Sequence, residues 1–305
     1  MPLDPEAAEY LEFLRQQAIP ALESLSVEDA RAQLTPVPGP PEPVARVIDR
    51  TIPGPGGPIP VRCYWPNDSP APNGPAVVFF HGGGWILGSL DSHDAFCRRL
   101  CVESAAAVIA VDYRMGPEHR FPAAVDDCEA VARWVHDHAA ELDIDPSRIG
   151  VCGDSAGGNL AAVVALRLRG TVPLAAQVLL YPITDYSFET ESYRENATGY
   201  FLSQATMEWC WNHYLSQPGD GASPDASPLR AADFRGLPPA YVLTAGYDPL
   251  RDEGRAYAEA LIHAGVDVQF REFSGMVHGF LRRIDRFPSA ATAIKEIALF
   301  LDRCL

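Results

Sequence analysis

The sequence predicts an α/β fold on a mainly parallel sheet, and three observations predict it. Short, wholly apolar runs such as Ala76-Val77-Val78-Phe79-Phe80 read as strands buried on both faces. These runs alternate with longer amphipathic segments, the signature of right-handed βαβ units. The chain has 305 residues, 47% of them hydrophobic and 21% charged, which allows one large globular core.

In chain order, residues 5–34 read as two short amphipathic helices, with Leu11, Leu14, Ala18 and Leu22 at helical spacing. Pro20 breaks the pattern between them. A proline-rich connector over 35–43 follows. Residues 44–51 and 59–65 alternate like strands, and the turn-rich 53–58 between them predicts a hairpin. Strand 76–80 then leads to helix 91–105, strand 108–112 and helix 122–140. Strand 149–152, helix 156–169 and strand 177–181 continue the alternation. It resumes at strand 240–244, helix 251–264, strand 266–273 and helix 288–303.

Residues 186–215 interrupt the pattern and are rich in aromatics, including Tyr193, Trp209, Trp211 and Tyr214. A long insertion of this kind, together with the N-terminal helices, predicts a lid over the strand ends. The expected organisation is therefore 1–43 as cap helices and connector, and 44–185 as the first part of the main α/β domain. Residues 186–215 form the cap insertion and 216–305 the second part of that domain.

A net charge of −16 argues against nucleic acid or an anionic membrane surface as partner, since both are polyanions. The seven cysteines contain no Cys-x-x-Cys pair, so neither a zinc ribbon nor a dithiol redox motif is expected. They read as small buried apolar residues of a reducing compartment. The first residues, Met1-Pro2-Leu3-Asp4-Pro5-Glu6, have neither a basic start nor an apolar run, so the reading is a cytoplasmic protein without a signal peptide. No apolar stretch is long enough for a membrane span.

Chemistry enters at Gly153-Asp154-Ser155-Ala156-Gly157-Gly158, which stands between a strand and a helix. A Gly-x-Ser-x-Gly turn in that setting strains the serine backbone and presents its hydroxyl at the sheet's C-terminal edge. A phosphate-binding loop is the rival reading, but the required lysine is missing and the glycine spacing differs. Ser155 is thus the candidate nucleophile. His81-Gly82-Gly83-Gly84-Trp85 follows strand 76–80, and three successive glycines suit backbone that approaches a ligand closely. The N–H groups of Gly83 and Gly84, with that of Ala156, are the candidate oxyanion donors. His81 reads as a hydrogen bonder within its loop.

The order nucleophile, acid, histidine leaves His213, His263 and His278 as candidate bases. His213 falls in the insertion and His263 within a helix, whereas His278 lies in the loop expected after strand 266–273. Among the acids, Asp248 lies just beyond strand 240–244, and Pro249 biases it away from helical geometry. Asp185 is a weaker rival, and Asp252 and Glu253 read as braces of the next helix. The expected site is Ser155, His278 and Asp248.

With these residues assembled, the chain resembles the bacterial hormone-sensitive-lipase-like carboxylesterases, also called family IV lipolytic enzymes. The matching segments are His81 to Trp85, Asp112-Tyr113-Arg114, Pro117-Glu118-His119, Phe121-Pro122-Ala123, Gly153 to Leu160, Asp248 to Gly254, and His278-Gly279-Phe280. The resemblance implies an α/β-hydrolase fold, an eight-stranded, mostly parallel sheet with an antiparallel second strand, and a helical cap. It implies hydrolysis of short- to medium-chain acyl esters without cofactor or metal, on a small-molecule ester, and a homodimer. Two other readings are an amide-directed deacetylase or peptidase using the same triad, and a non-catalytic small-molecule receptor on the same fold; receptors of that kind lack the triad histidine, whereas His278 is present here.

Overall fold

The computed structural model describes residues 2–66 and 73–305. Eight strands form one sheet: β1 (Arg46–Gly54), β2 (Gly57–Trp65), β3 (Gly74–Phe80), β4 (Ala107–Val111), β5 (Ile144–Asp154), β6 (Ala176–Leu180), β7 (Ala240–Tyr247) and β8 (Val268–Val277). Their order is β1-β2-β4-β3-β5-β6-β7-β8. β2 pairs antiparallel with both β1 and β4, and the remaining pairings are parallel. This is the α/β-hydrolase sheet that the resemblance implied.

Helices cover both faces: α3 (Leu90–Ser104) and α9 (Pro288–Cys304) on one, and α4 (Ala123–Asp137), α5 (Ala156–Leu168) and α8 (Arg251–His263) on the other. The period-2 alternation of the strands explains the division. Val78 and Phe80 of β3 join the core beneath α4, α5 and α8, while Val77 and Phe79 join the core beneath α3 and α9. Complete burial of such a side chain stabilises the fold by about 1.5–3 kcal/mol, which is why β3 and β4 carry no polar residue.

Several boundaries differ from the sequence expectation. The 53–58 turn is mostly strand, because Pro53 and Pro58 face one another in the β1–β2 register and only residues 55 and 56 turn. Proline is tolerated there because β1 is an edge strand, and β2 pairs with β4 only over Val61 to Tyr64. β5 begins at Ile144 and not at 149, since Ile144 pairs with Gly74 before a register shift. β8 runs on to Val277, so residues 274–277, expected as loop, are strand, and His278 follows directly. His263 lies within a helix as expected, but as the exposed last residue of α8. At the N-terminus α1 (Pro5–Gln16) and α2 (Val27–Gln33) form, leaving Ala18 and Leu22 outside both.

Between β6 and β7 lie α6 (Glu191–Glu195) and α7 (Gln204–Tyr214). Glu23, from the N-terminal segment, accepts a hydrogen bond from Thr206 Oγ1 at 2.7 Å in the first turn of α7. Among the described residues no helix is long and apolar enough to cross a membrane.

Strand order locates the site. The chain leaves β3 for β4 on one side, then returns across β3 to β5 on the other. The C-terminal ends of β3 and β5 therefore flank a topological switch point, where α/β sheets form their ligand crevice.

Candidate active site

Ser155 stands between β5 and α5 with φ 58° and ψ −119°, a conformation that L-residues avoid and that costs about 1–3 kcal/mol. Close backbone packing holds it there. A Cβ on Gly153 would lie 2.1 Å from the Gly157 carbonyl oxygen, and one on Gly157 would lie 1.9 Å from that of Phe80. Only glycine lets α5 pack this tightly on the ends of β3 and β5. Ser155 N–H also donates to Leu180 O at 2.8 Å.

His278 and Asp248 converge on this serine. Ser155 Oγ lies 2.9 Å from His278 Nε2, and His278 Nδ1 lies 2.6 Å from Asp248 Oδ2. A carboxylate only accepts hydrogen bonds, so Nδ1 carries the proton and Nε2 is left to accept from the serine hydroxyl. Asp248 Oδ1 accepts from Leu250 N–H at 2.9 Å, which orients the carboxylate. All three side chains are buried. Burial removes competing water and strengthens each of these contacts. Tyr181 packs edge-on against the imidazole at 4.7 Å between centroids.

The glycine segment after β3 forms a tight turn in which Ile86 N–H and Leu87 N–H both donate to Gly83 O, at 3.1 and 2.9 Å. Gly83 has φ +121° and a Cβ there would meet Leu87 O at 2.2 Å, so glycine is obligatory. Ala156 opens α5, and its N–H has no carbonyl one turn earlier within the helix.

Sequence reasoning did not assign Asp154. Its Oδ1 accepts from Gly82 N–H at 2.8 Å and lies 3.4 Å from His93 Nε2, fastening the glycine turn to the serine turn. Burial alone would raise this carboxyl, but His93 and the Gly82 N–H outweigh it and hold it below the ordinary range. A charged residue at the buried end of an apolar strand was the available signal. His81 keeps to its own loop. Its Nδ1 lies 2.9 Å from Gly82 O and its ring stacks on Tyr113 at 4.4 Å. Burial, helped by the neighbouring His93, lowers its pKa to about 4.

The rival residues lie elsewhere. His213 Nδ1 is 2.8 Å from Trp209 O, and Asp185 pairs with Arg230. Asp252 and Glu253 do more than brace α8: Asp252 accepts from Ser192 N–H, and Glu253 from Thr184 and Asp185 N–H, tying α8 to the chain after β6. Ser192 Oγ also donates to Pro249 O at 2.6 Å, bracing the Asp248 loop from α6.

A family profile described as the alpha/beta hydrolase fold matches residues 77–282. Carboxylesterase NlhH of Mycobacterium tuberculosis is 44% identical over 288 residues, 92% of this chain and 90% of that protein. The chain belongs to the hormone-sensitive-lipase-like esterases of the α/β-hydrolase fold. Its activity is that of a carboxylic ester hydrolase acting on small molecules. An arylesterase of Saccharolobus solfataricus is 37% identical, covering 92% of this chain and 93% of its own. Among solved structures, a hyperthermophilic esterase from Pyrobaculum calidifontis superposes with a TM-score of 0.93 at 42% identity, covering 99% of both chains.

Proposed function

We propose that this esterase cleaves short- to medium-chain acyl esters through Ser155, His278 and Asp248 and an acyl-enzyme intermediate. One observation carries the reading: a buried serine hydroxyl 2.9 Å from an imidazole whose other nitrogen is 2.6 Å from a carboxylate. His278 Nε2 takes the hydroxyl proton as Ser155 Oγ attacks the ester carbonyl carbon. The N–H groups of Gly83, Gly84 and Ala156 receive the negative charge on the carbonyl oxygen. The imidazolium, steadied by Asp248, gives its proton to the departing alkoxide as the carbon–oxygen bond breaks. Water then repeats the sequence on the acylated serine and restores the enzyme. No step requires a cofactor. The acyl range is the one that the family resemblance implies; Trp85, Trp211 and Tyr214 beside the glycine turn are fully buried and pack on one another, with Tyr214 stacked on Trp85 at 4.1 Å and Trp211 4.5 Å from it. The unpaired state of the seven cysteines supports a reducing, cytoplasmic location.

Ser155→Ala is expected to lower kcat on nitrophenyl butyrate by about 10⁴–10⁶-fold with an unchanged circular dichroism spectrum. Labelling by a fluorophosphonate probe should disappear with it. Wild-type turnover in the variant would refute the assignment. In a matched acyl series, rates should fall from butyrate to palmitate, and an anilide of the same acyl group should react far more slowly than the ester.

A further inference from the structure

One side chain of the N-terminal segment reaches the glycine turn. Arg31 lies on α2, whose start is fixed by Ser26 accepting from Asp29 N–H at 3.1 Å; Ala30, the helix residue just before Arg31, is fully buried in the core. Its guanidinium makes four hydrogen bonds. Nε donates to Ile86 O at 2.9 Å and Nη2 to Gly116 O at 2.8 Å. Nη1 and Nη2 together grip the Glu118 carboxylate at 2.8 Å each.

Both carbonyls belong to residues that themselves hold the turn. Ile86 N–H donates to Gly83 O, and Gly116 N–H donates to Trp85 O at 3.0 Å. Asp154 pins Gly82 at the near end of the turn, and Arg31 pins Ile86 at the far end, so Gly83 and Gly84 hang between two anchors. The planar fork serves three acceptors in fixed directions, which a lysine ammonium on a flexible stem does not reproduce. Glu118 completes the clamp. The guanidinium beside it lowers its carboxyl to about 2, so it stays ionised and keeps the fork oriented.

We infer that Arg31 is a positioning residue of the ester hydrolysis, setting the place of the Gly83 and Gly84 N–H groups although it lies in the N-terminal segment. The inference rests on the reading of those two groups as oxyanion donors. Donors displaced by a fraction of an ångström weaken binding of the developing oxyanion and leave the ground-state ester little affected. The loss therefore falls on kcat.

The experiment compares the full-length wild type with Arg31→Met, Arg31→Lys and Arg167→Met. Arg167 is the control, since it sits in the last turn of α5 and pairs with Asp126, Glu129 and Asp225, none of them in the glycine turn. Each protein is assayed for Tm, for kcat and KM on nitrophenyl butyrate, and for inhibition by an aryl trifluoromethyl ketone, which forms a tetrahedral adduct with a serine. Arg31→Met is expected to lower kcat about 10-fold or more, within the ~10²–10³ that a lost donor typically produces. KM should stay within about 2-fold and ketone affinity should fall in step with kcat. Arg167→Met should lower Tm alone. Should Arg31→Met not fold, Arg31→Lys carries the test and is expected to lower kcat and ketone affinity together. Wild-type kcat and ketone affinity in a folded Arg31 variant overturn the inference. A wild type that the ketone does not inhibit overturns the oxyanion reading itself.

Discussion

Glu253 shows what a single residue does when burial and charge conflict. It is 2% exposed, accepts from Thr184 N–H at 2.7 Å, and receives the Thr184 hydroxyl on its own backbone carbonyl at 2.8 Å. Burial pushes its carboxyl well above the ordinary value of 4.5. The two N–H donors oppose this, while nearby Asp185 and Asp248 reinforce it. A carboxyl raised on folding holds more protons folded than unfolded at pH above 4.5, so its contribution is complete below that value and is lost as pH rises through the folded value. Glu253→Gln keeps the shape without the charge. Its Tm should gain on the wild type as pH rises above about 5. A Tm difference independent of pH would show that Glu253 is not held protonated. At this scale the sequence was legible where a motif fixes chemistry and order: Ser155 and its flanking glycines, and a histidine beyond the last strands. It was silent on Asp154 and Arg31 and read Glu253 only as a brace of its own helix, because their roles depend on partners 72, 55 and 69 residues away.

At the scale of elements, α7 forms a wall against the glycine turn. A Cβ on Gly84 would lie 2.3 Å from Cys210 Sγ, and Gly84 has φ +61°, so an added methyl meets both a steric and a backbone obstacle. Gly84→Ala is expected to lower kcat by about 10²-fold, the effect of one displaced donor. Cys210→Ala alone should leave kcat nearly unchanged, and introduced beside Gly84→Ala it should recover several-fold of the loss, a coupling visible only in the double-mutant cycle. Strict additivity would mean that α7 does not set the turn. Existence and type of the elements were readable because apolar runs of five residues and helical spacing leave little choice, as for β3, β4 and α5. Ends were harder. Asp145-Pro146-Ser147-Arg148 has the composition of a turn, yet β5 starts before it, because pairing of Ile144 with Gly74 outweighs local preference.

Across the whole molecule, six of the seven cysteines occupy buried positions that make them chemically quiet. Burial raises Cys63 to about 11, Cys101 and Cys210 to about 12, and Cys97, Cys128 and Cys152 well above their ordinary value. Only Cys304, at the end of α9, is partly accessible. Native protein should therefore react with Ellman's reagent at Cys304 alone and keep its esterase activity, whereas the denatured chain should titrate all seven. Rapid native modification of a second thiol, with inactivation, would contradict this packing. The sheet order was not derivable from local pattern, because the excursion from β3 to β4 and back to β5 is set by which faces the helices cover. The contact of Gly157 with the Phe80 carbonyl, and that of Asp154 with Gly82, rivet two stretches of chain into one part. An engineer who exchanges loops between this esterase and a relative must therefore move both stretches as a single cassette, since either one grafted alone arrives without its counterpart.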